Sequence, residues 1–173
     1  MNIKNTGSSS YLERFIMARE MAISGYISKI ITIETKLTYK QIRRVYRYLK
    51  EDGYILKKKS RAYRSGATLI RNYISKIHAS LLMQLYYNIG GKKVLVSINI
   101  EALTKAFTLY YNIYSEIPEV DNKKWLPFDI TDAWCLADEL RSNNAMIENC
   151  NICNCSYFTS INQSTSVDCP FCK

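Results

Sequence analysis

The feature that most constrains this chain is a pair of Cys-x-x-Cys segments near its C-terminal end. Cys150 and Cys153 form the first pair, Cys169 and Cys172 form the second, and fifteen residues separate the two pairs. This layout, C-x2-C-x15-C-x2-C, lies within the range of spacings of four-thiolate zinc sites. Each Cys-x-x-Cys turn directs two sulfurs toward one point about 2.3 Å from a metal, so two turns complete a tetrahedron. The sequence therefore predicts one structural Zn2+ per chain, with no open coordination position for catalysis.

Two disulfides, or six unrelated thiols, are the alternatives for these cysteines. We favour zinc because Met1 leads into no apolar signal-peptide core, and no segment approaches the ~20 apolar residues of a membrane span. These features predict a cytoplasmic protein, and disulfides are uncommon in that compartment. Cys155 could replace Cys153 as a ligand at some geometric cost. Cys135 is expected to lie on a helix as a small core residue.

The basic residues are concentrated in the front half of the chain. Residues 1–88 contain 17 Lys and Arg against 5 Asp and Glu, whereas residues 89–173 contain 7 against 10. A front half this basic predicts a polyanionic partner, for which nucleic acid is the usual candidate. The presence of 14 tyrosines and only 6 glycines favours packed helices over loops that cradle nucleotides. At 173 residues the chain can bury a core without metal, so zinc is expected to organise only the tail.

The fold class that these patterns predict is mainly α. Residues 1–10 are polar and aperiodic, which predicts a flexible N-terminus. Residues 11–143 predict a helical domain that binds DNA and a partner, with a helix-turn-helix-like N-terminal half. Residues 144–173 predict a small four-cysteine zinc module. Apolar residues recur at three- and four-residue steps from Leu12 to Ile33, which predicts one first helix.

A second helix, short and basic, is predicted after a break at Glu34–Leu37. Thr38 and Gln41 make a capping box at its start, and Gly53 is a fitting stop. Its apolar positions are expected to face the first helix: Ile42, Val45, Tyr46 and Leu49. Its basic positions lie mostly on the other side: Lys40, Arg43, Arg44, Arg47 and Lys50.

Basic residues continue beyond this second helix. From Lys36 to Arg64 there are 11 basic residues and 2 acidic ones. A charged helix face is usually only a solvated face, but a cluster of this density repels itself unless phosphates offset its charge. We therefore predict that double-stranded DNA is contacted by Lys40, Arg43, Arg44, Arg47, Lys57, Lys58, Lys59, Arg61 and Arg64.

The longest apolar run in the chain predicts a helix over 67–89. Its apolar stripe is expected to include Ile70, Tyr73, Ile74, Ile77, Leu81, Leu85 and Ile89. With the neighbouring Leu82, Tyr86 and Tyr87, this helix carries more apolar surface than one core-facing helix needs, which predicts a partner surface. A larger internal core is the alternative. His78 is expected to be a core histidine, and Asn99 and Asp129 are predicted to cap the next two helices.

Several short matches, in this order along the chain, resemble the FlhC family. FlhC is one subunit of the FlhD–FlhC flagellar master transcriptional activator, and related activators control the transfer of conjugative elements. The resemblance runs from about Ala18 to Cys172. The matching residues are Glu34-Thr35-x-Leu37, His78-Ala79-Ser80, Lys105-Ala106 with Leu109-Tyr110, Thr131-x-Ala133-Trp134-x-Leu136 and the four tail cysteines.

The resemblance implies a mainly helical, DNA-binding protein with Cys150, Cys153, Cys169 and Cys172 as zinc ligands. It also implies assembly with FlhD-like subunits into a heterohexamer, and recruitment of RNA polymerase to flagellar or conjugative-transfer promoters. Two features depart from the family pattern. The loop after the second helix tends toward proline in the family but is Lys57–Lys59 here, and relatives often continue into a basic tail beyond the last cysteine. Contacts from such a tail are expected to be absent or moved to the lysines.

An enzyme and an RNA-binding protein are the competing interpretations. The sequence has no phosphate-binding Gly-rich motif, no His-Glu-x-x-His and no nucleophile signature, so no enzymatic activity is predicted. A zinc-ribbon RNA-binding protein without a transcriptional role is the alternative function. Because such a protein places exposed aromatic rings beside basic groups, a flat platform of Tyr39, Tyr48 and Tyr63 would favour RNA. A helix shaped for the major groove would favour duplex DNA.

Overall fold

A computed structural model of the protein describes residues 10–56, 62–116 and 127–172. The chain divides into two compact units, 1–60 and 61–173. This division lies inside the basic stretch from Lys36 to Arg64, whereas the sequence predicted a domain boundary after residue 143. Of the predicted flexible N-terminus, only Ser10 is described, and its side chain caps the first helix.

The first unit contains three helices: α1 (Tyr11–Ser24), α2 (Ser28–Thr35) and α3 (Tyr39–Glu51). The prediction of one helix from Leu12 to Ile33 is therefore wrong. Gly25 ends α1 with a φ of 94°, in the left-handed region that favours glycine, and its N–H donates to the carbonyl of Ala22. Apolar spacing did not reveal this break because Tyr26, in the connection itself, is buried.

Helices α2 and α3 are joined by the short turn Lys36–Thr38, as in a helix-turn-helix. The predicted capping box is present, since the Gln41 N–H donates to Thr38 Oγ1 at 3.3 Å and the Thr38 N–H donates to Gln41 Oε1 at 2.8 Å. The predicted apolar face is also confirmed, because Ile42, Val45 and Leu49 are buried and α3 packs against α1 and α2.

The second unit is built around α7 (Ile130–Arg141), which is buried on nearly every side. Its other helices are α4 (Gly66–Leu69), α5 (Tyr73–Gly90) and α6 (Ile100–Glu116), with a 3₁₀ helix, Gly91–Leu95, after α5. Helices α5 and α6 pack against each other, and both contact α7. The mainly helical fold class that the sequence predicts is confirmed.

A β-hairpin, which the sequence analysis did not predict, connects this helical core to the cysteine pairs. Its strands are β1 (Ala145–Asn149) and β2 (Ser156–Ser160), antiparallel, with Ala145 opposite Ser160 and Asn149 opposite Ser156. Strand β2 packs against α5, and β1 packs against α7. The tail module therefore shares a core with the helices of the second unit.

The prediction of one helix over 67–89 is wrong, because residues 70–72 separate α4 from α5. The buried face of α5 also differs from the predicted one. Two residues of the predicted stripe are largely exposed, Ile74 at 48 % and Ile89 at 40 %. The residues that are buried instead are Ser75, Lys76, Ala79, Ser80, Leu82, Met83 and Tyr86. Apolar periodicity did not fix the face because α5 is apolar around most of its circumference. The small side chains of Ala79 and Ser80 lie on the buried side, where neighbouring elements approach closely.

Local predictions for the other helices are confirmed. Asp129 caps α7 in a capping box with Asp132, and Asn99 Oδ1 accepts the Ala102 N–H at the start of α6. His78 Nδ1 lies 3.1 Å from the Tyr110 hydroxyl, and desolvation lowers the pKa of His78 to about 4, so it is a packing residue. No helix in the described part of the chain is both long enough and apolar enough to cross a membrane.

Candidate functional site

The hairpin and the loop that follows it present the four tail cysteines. Cys150 directly follows β1, and its N–H donates to the Cys155 carbonyl at 3.0 Å, which closes the turn between the strands. Within this turn Asn154 has a φ of 57°, a left-handed conformation that asparagine tolerates. Cys169 and Cys172 come after β2 and the loop 161–168. The turn and the loop together bring the two Cys-x-x-Cys pairs to one place.

The four sulfurs form a single compact group. All four lie within 4.8 Å of one another, with 3.4 Å between the Sγ atoms of Cys150 and Cys172 and 3.7 Å between those of Cys153 and Cys169. Sulfurs arranged tetrahedrally about 2.3 Å from zinc are separated by about 3.8 Å. A disulfide requires about 2.05 Å, and all six cysteines are free. The group could therefore hold a metal ion, and it is neither a pair of disulfides nor a set of unrelated thiols.

The backbone of each turn donates to the sulfur of its first cysteine. The Ile152 N–H points to Cys150 Sγ and the Phe171 N–H points to Cys169 Sγ, each at 3.4 Å. Backbone donors at Cys153 and Ile152 lower the pKa of Cys150 to about 6. The pKa of Cys172 is raised, chiefly by its hydrogen bonds to Cys153 and Cys150. Thiolate is the form that binds metal, so the turn geometry favours the binding state of Cys150.

The two remaining cysteines lie outside this group. Cys155 is exposed, and it contributes its carbonyl to the hairpin turn while its sulfur is not part of the four-sulfur cluster. This places Cys153, and not Cys155, with the other three sulfurs. Cys135 is buried in α7, and burial raises the pKa of its thiol to about 12, which fits the predicted core role.

A second candidate surface is the exposed face of α3. It carries four of the residues predicted to contact DNA, which together line one recess of about 250 Å³: Lys40, Arg43, Arg44 and Arg47. Arg47 also lies 3.8 Å from Glu51 in an exposed ion pair, which contributes little to stability and leaves the guanidinium accessible. The recess is therefore a site where several cations converge, and a phosphate group fits its charge.

The other predicted DNA contacts are distributed differently. Lys57, Lys58, Lys59 and Arg61 lie outside the described residues. Arg64 belongs to the second unit, where its guanidinium donates to the Asp132 carboxylate from Nε at 3.1 Å and from Nη2 at 2.6 Å. Because Asp132 is completely buried, this pair is part of the fold, and it gives Arg64 a structural role that the sequence did not indicate.

Within each of the two units, the described tyrosines that would favour RNA do not form a flat platform. Tyr39, Tyr48 and Tyr63 are 42–56 % exposed. However, Tyr39 and Tyr48 are nine residues apart on α3, and at about 100° per residue they project from opposite sides of that helix. Tyr63 is in the second unit, where its ring packs edge-on against Trp134 and its hydroxyl donates to Asp138. Tyr39 and Tyr48 therefore offer no shared surface for stacking bases, and the ring of Tyr63 is engaged by Trp134.

The sequence patterns did not predict the role of one residue beside the cysteine group, Lys76. Lys76 lies in the apolar run of α5 but is only 2 % exposed, and its ammonium group donates to backbone carbonyls of the loop before Cys169. The sequence does contain one indication that Lys76 has a distant partner. No carboxylate lies three or four residues from it on its own helix, where the residues are Asn72, Tyr73, Ala79 and Ser80.

Comparison with known proteins identifies the family. A search of curated proteins gives no match. The family model described as flagellar transcriptional activator (FlhC) matches residues 9–173, nearly the whole chain. This confirms the resemblance drawn from the short motifs and the cysteine pairs. A family of transcriptional activators, and not of enzymes, fits the prediction of a protein without catalytic activity. The chain belongs to the FlhC family of flagellar transcriptional activators.

Proposed function

We propose that this chain is the DNA-binding subunit of a cytoplasmic activator complex. It acts with an FlhD-like partner in a hetero-oligomer to recruit RNA polymerase to flagellar or conjugative-transfer promoters. The observation that carries the proposal is the exposed cationic face of α3, the second helix of a helix-turn-helix, in a chain of this family. The runner-up, an RNA-binding zinc ribbon, has less support because Tyr39 and Tyr48 project from opposite sides of α3 and the ring of Tyr63 packs against Trp134.

Duplex DNA fits the face of α3 in shape and in charge. A helix of 13 residues is about 20 Å long, and the major groove of B-DNA is about 12 Å wide, enough to admit it. In a helix-turn-helix, the N-terminal residues of the second helix approach base edges. Lys40, Arg43 and Arg44 occupy that part of α3, so they are the proposed base and phosphate contacts. Arg47, Lys57–Lys59 and Arg61 are proposed to contact phosphates.

We assign one structural Zn2+ to the four-sulfur group. Four thiolates are soft ligands in a tetrahedral arrangement, a set that suits zinc. Cys150, Cys153, Cys169 and Cys172 would hold the ion, which would act as a cross-link between the hairpin turn and the segment after the loop 161–168. Because all four coordination positions are filled by protein, the ion would stabilise the module and would not activate a substrate.

The exposed side of α5 and α6 is the proposed binding surface for the partner. Ile74 and Ile89 of α5 are largely exposed, and Ile77, Leu81 and Leu85 between them are only partly covered. On α6, three large apolar residues are 39–50 % exposed: Leu109, Tyr111 and Ile113. Apolar surface of this extent on a soluble protein marks a partner site more often than chance. A larger internal core accounts for Leu82 and Tyr86, which are buried. It does not account for the exposed side chains named above.

A charge-matched binding experiment tests the DNA proposal. The complex with its FlhD-like partner is purified with Arg43, Arg44 and Arg47 replaced by alanine, and duplex promoter binding is measured by fluorescence anisotropy over a range of salt concentrations. The matched control replaces three exposed lysines of the second unit: Lys92, Lys93 and Lys105. Each lost phosphate contact should reduce the log–log salt slope by roughly 0.9, so the arginine variant should lose up to about three slope units.

Three outcomes of this experiment are informative. Loss of affinity in the arginine variant alone supports α3 as the DNA surface. Equal effects of the two triple substitutions mean that α3 is a solvated face and that only net charge matters. If single-stranded RNA competes for the protein better than the promoter duplex does, the RNA-binding function replaces the proposed one.

A further inference from the structure

Lys76 of α5 is buried without an ion-pair partner among the described residues. Its Nζ donates to the carbonyl oxygen of Ser166 at 2.8 Å and to that of Asp168 at 2.6 Å, and it lies 5.2 Å from the centre of the Tyr157 ring. Two carbonyl oxygens and an aromatic face thus account for the surroundings of its three N–H donors. Burying an ammonium group costs several kcal/mol unless nearby negative charge compensates.

The Asp168 carbonyl belongs to the peptide bond that leads into Cys169. By holding this carbonyl, Lys76 fixes the orientation of the backbone at the entry to the second Cys-x-x-Cys turn. Two further hydrogen bonds hold the loop 161–168. Gln163 Nε2 donates to the Ser166 carbonyl at 2.6 Å within the loop, and the Ser164 N–H donates to the carbonyl of Ile70, just before α5, at 3.1 Å. The core of the second unit therefore sets where the second pair of sulfurs lies.

Charge gives the same residue a second role. A divalent ion with four thiolate ligands carries a net charge of about −2. The carboxylates of Asp168 and Glu148, which flank the four-sulfur group, attract the Lys76 ammonium group, but neither forms an ion pair with it among the described residues. Of these, Glu148 is already engaged as the acceptor of the Tyr157 hydroxyl at 2.7 Å. The positive charge of Lys76 is thus only partly compensated by these carboxylates, and the negative charge of a loaded metal site would complement it.

We propose that Lys76 is a positioning residue for the metal centre. From α5 it holds the backbone that carries Cys169, and its ammonium group offsets part of the negative charge of a divalent cation bound by four thiolates. This inference rests on the proposed metal site. It makes metal affinity depend on a lysine that is about ninety residues from the second cysteine pair in sequence.

The test compares metal binding by full-length variants purified with the same partner. Lys76→Met removes the positive charge and the N–H donors but keeps the length of the side chain. Lys76→Arg keeps the charge and the donors. Lys105→Met is the control, since Lys105 is an exposed lysine that pairs with Glu101 on its own helix. The readouts are zinc affinity against a chelator, the rate of zinc release, and the absorption spectrum of the Co2+-loaded protein, which reports four thiolate ligands.

The expected result is a loss of zinc affinity of about 10- to 100-fold and faster release in Lys76→Met, with a four-thiolate cobalt spectrum retained. Lys76→Arg should keep more affinity than Lys76→Met, and Lys105→Met should match the parent protein. A folded Lys76→Met with parental affinity and release rate overturns the proposal, as do equal losses in the Met and Arg variants.

A third variant and two further outcomes complete the test. Lys76→Gln keeps N–H donors without the charge and should show an intermediate affinity. If both neutral variants fail to fold even with excess metal, Lys76 is a folding residue and the positioning role is rejected. If the parent protein itself binds no metal, the metal site fails, and this is recognised before any variant is made.

Discussion

The guanidinium of Arg64 donates two hydrogen bonds to the carboxylate of Asp132, a side chain with no exposure to solvent. The same carboxylate accepts the Asp129 N–H at the start of α7. Two residues after Arg64, the Gly66 N–H donates to Glu139 Oε1 at 2.6 Å, two turns further along the same helix. Residues 64–66 are therefore held along α7 by two buried acidic side chains, Asp132 and Glu139.

Replacing Arg64 should make the protein less stable to unfolding and should leave its affinity for DNA unchanged. Arg64→Met leaves the Asp132 carboxylate buried without a counter-charge, which should lower the free energy of unfolding by about 3–5 kcal/mol. Arg47→Met, which breaks only the exposed pair with Glu51, should change it by less than about 0.5 kcal/mol. Urea denaturation measures both. Equal stabilities of the two variants would show that the buried pair is not needed for the fold.

The four-sulfur group should bind one zinc ion per chain. Metal analysis of the purified protein should give near-unit stoichiometry, which Cys169→Ser should abolish because a tetrahedral site then lacks a thiolate. Cys155→Ser and Cys135→Ser should keep the full complement of metal, as their sulfurs are outside the group. Zinc that survives Cys169→Ser would refute the ligand assignment.

The lysine run should contribute affinity without sequence specificity. Replacing Lys57, Lys58 and Lys59 with alanine should flatten the log–log salt slope of duplex binding by about 2–3 and should weaken all DNA sequences alike. By contrast, Arg43→Ala or Arg44→Ala should cost about 1–3 kcal/mol at one base position if that arginine contacts a base edge. Affinities for promoter and unrelated duplexes across a salt series distinguish these effects. A lysine variant with an unchanged salt slope would rule the run out as a phosphate-binding segment.

His78 should make the fold less stable in acid. Burial lowers its pKa from 6.5 to about 4, so the folded protein resists protonation more than the unfolded chain does. The stability contributed by the neutral imidazole is present above pH 6.5 and is lost as the pH falls toward 4, by at most about 3 kcal/mol. His78→Gln should remove this part of the pH dependence.

The comparison with His78→Gln isolates this effect, because protonation of the cysteines is common to both proteins. As the only histidine in the chain, His78 can also be followed directly by its NMR resonance. A midpoint near pH 6.5 in the folded protein would contradict the expectation.

The exposed side of α5 should be required for assembly with the partner. Ile74→Glu places a charge on a side chain that is 48 % exposed, so the protein should fold normally but should fail to co-purify with its FlhD-like subunit. Ile161→Glu, at a more exposed position outside α5, is the control. Without the partner, the unmodified chain should self-associate and bind its promoter weakly. Normal co-purification of Ile74→Glu, or a monomer with full promoter affinity, would count against this surface.

Some features of this protein are determined by short stretches of sequence. The capping boxes at Thr38 and Asp129 involve a side chain and a backbone N–H only three residues apart, so they were predictable. The four cysteines were predictable as a group because each Cys-x-x-Cys turn arranges its own two sulfurs and only one loop must bring the turns together. The cationic face of α3 follows from helical periodicity in the same way.

Other features are decided only by the tertiary structure. The buried face of α5 could not be predicted because its sequence is apolar on several sides, and the packing of α6 and β2 selects one of them. Arg64 finds Asp132 across 68 residues, and Lys76 finds the Asp168 carbonyl across 92. A basic side chain has the same local sequence signature whether it contacts phosphate, a buried carboxylate or a backbone carbonyl. Its partner is set by which distant segment the fold brings within reach of it.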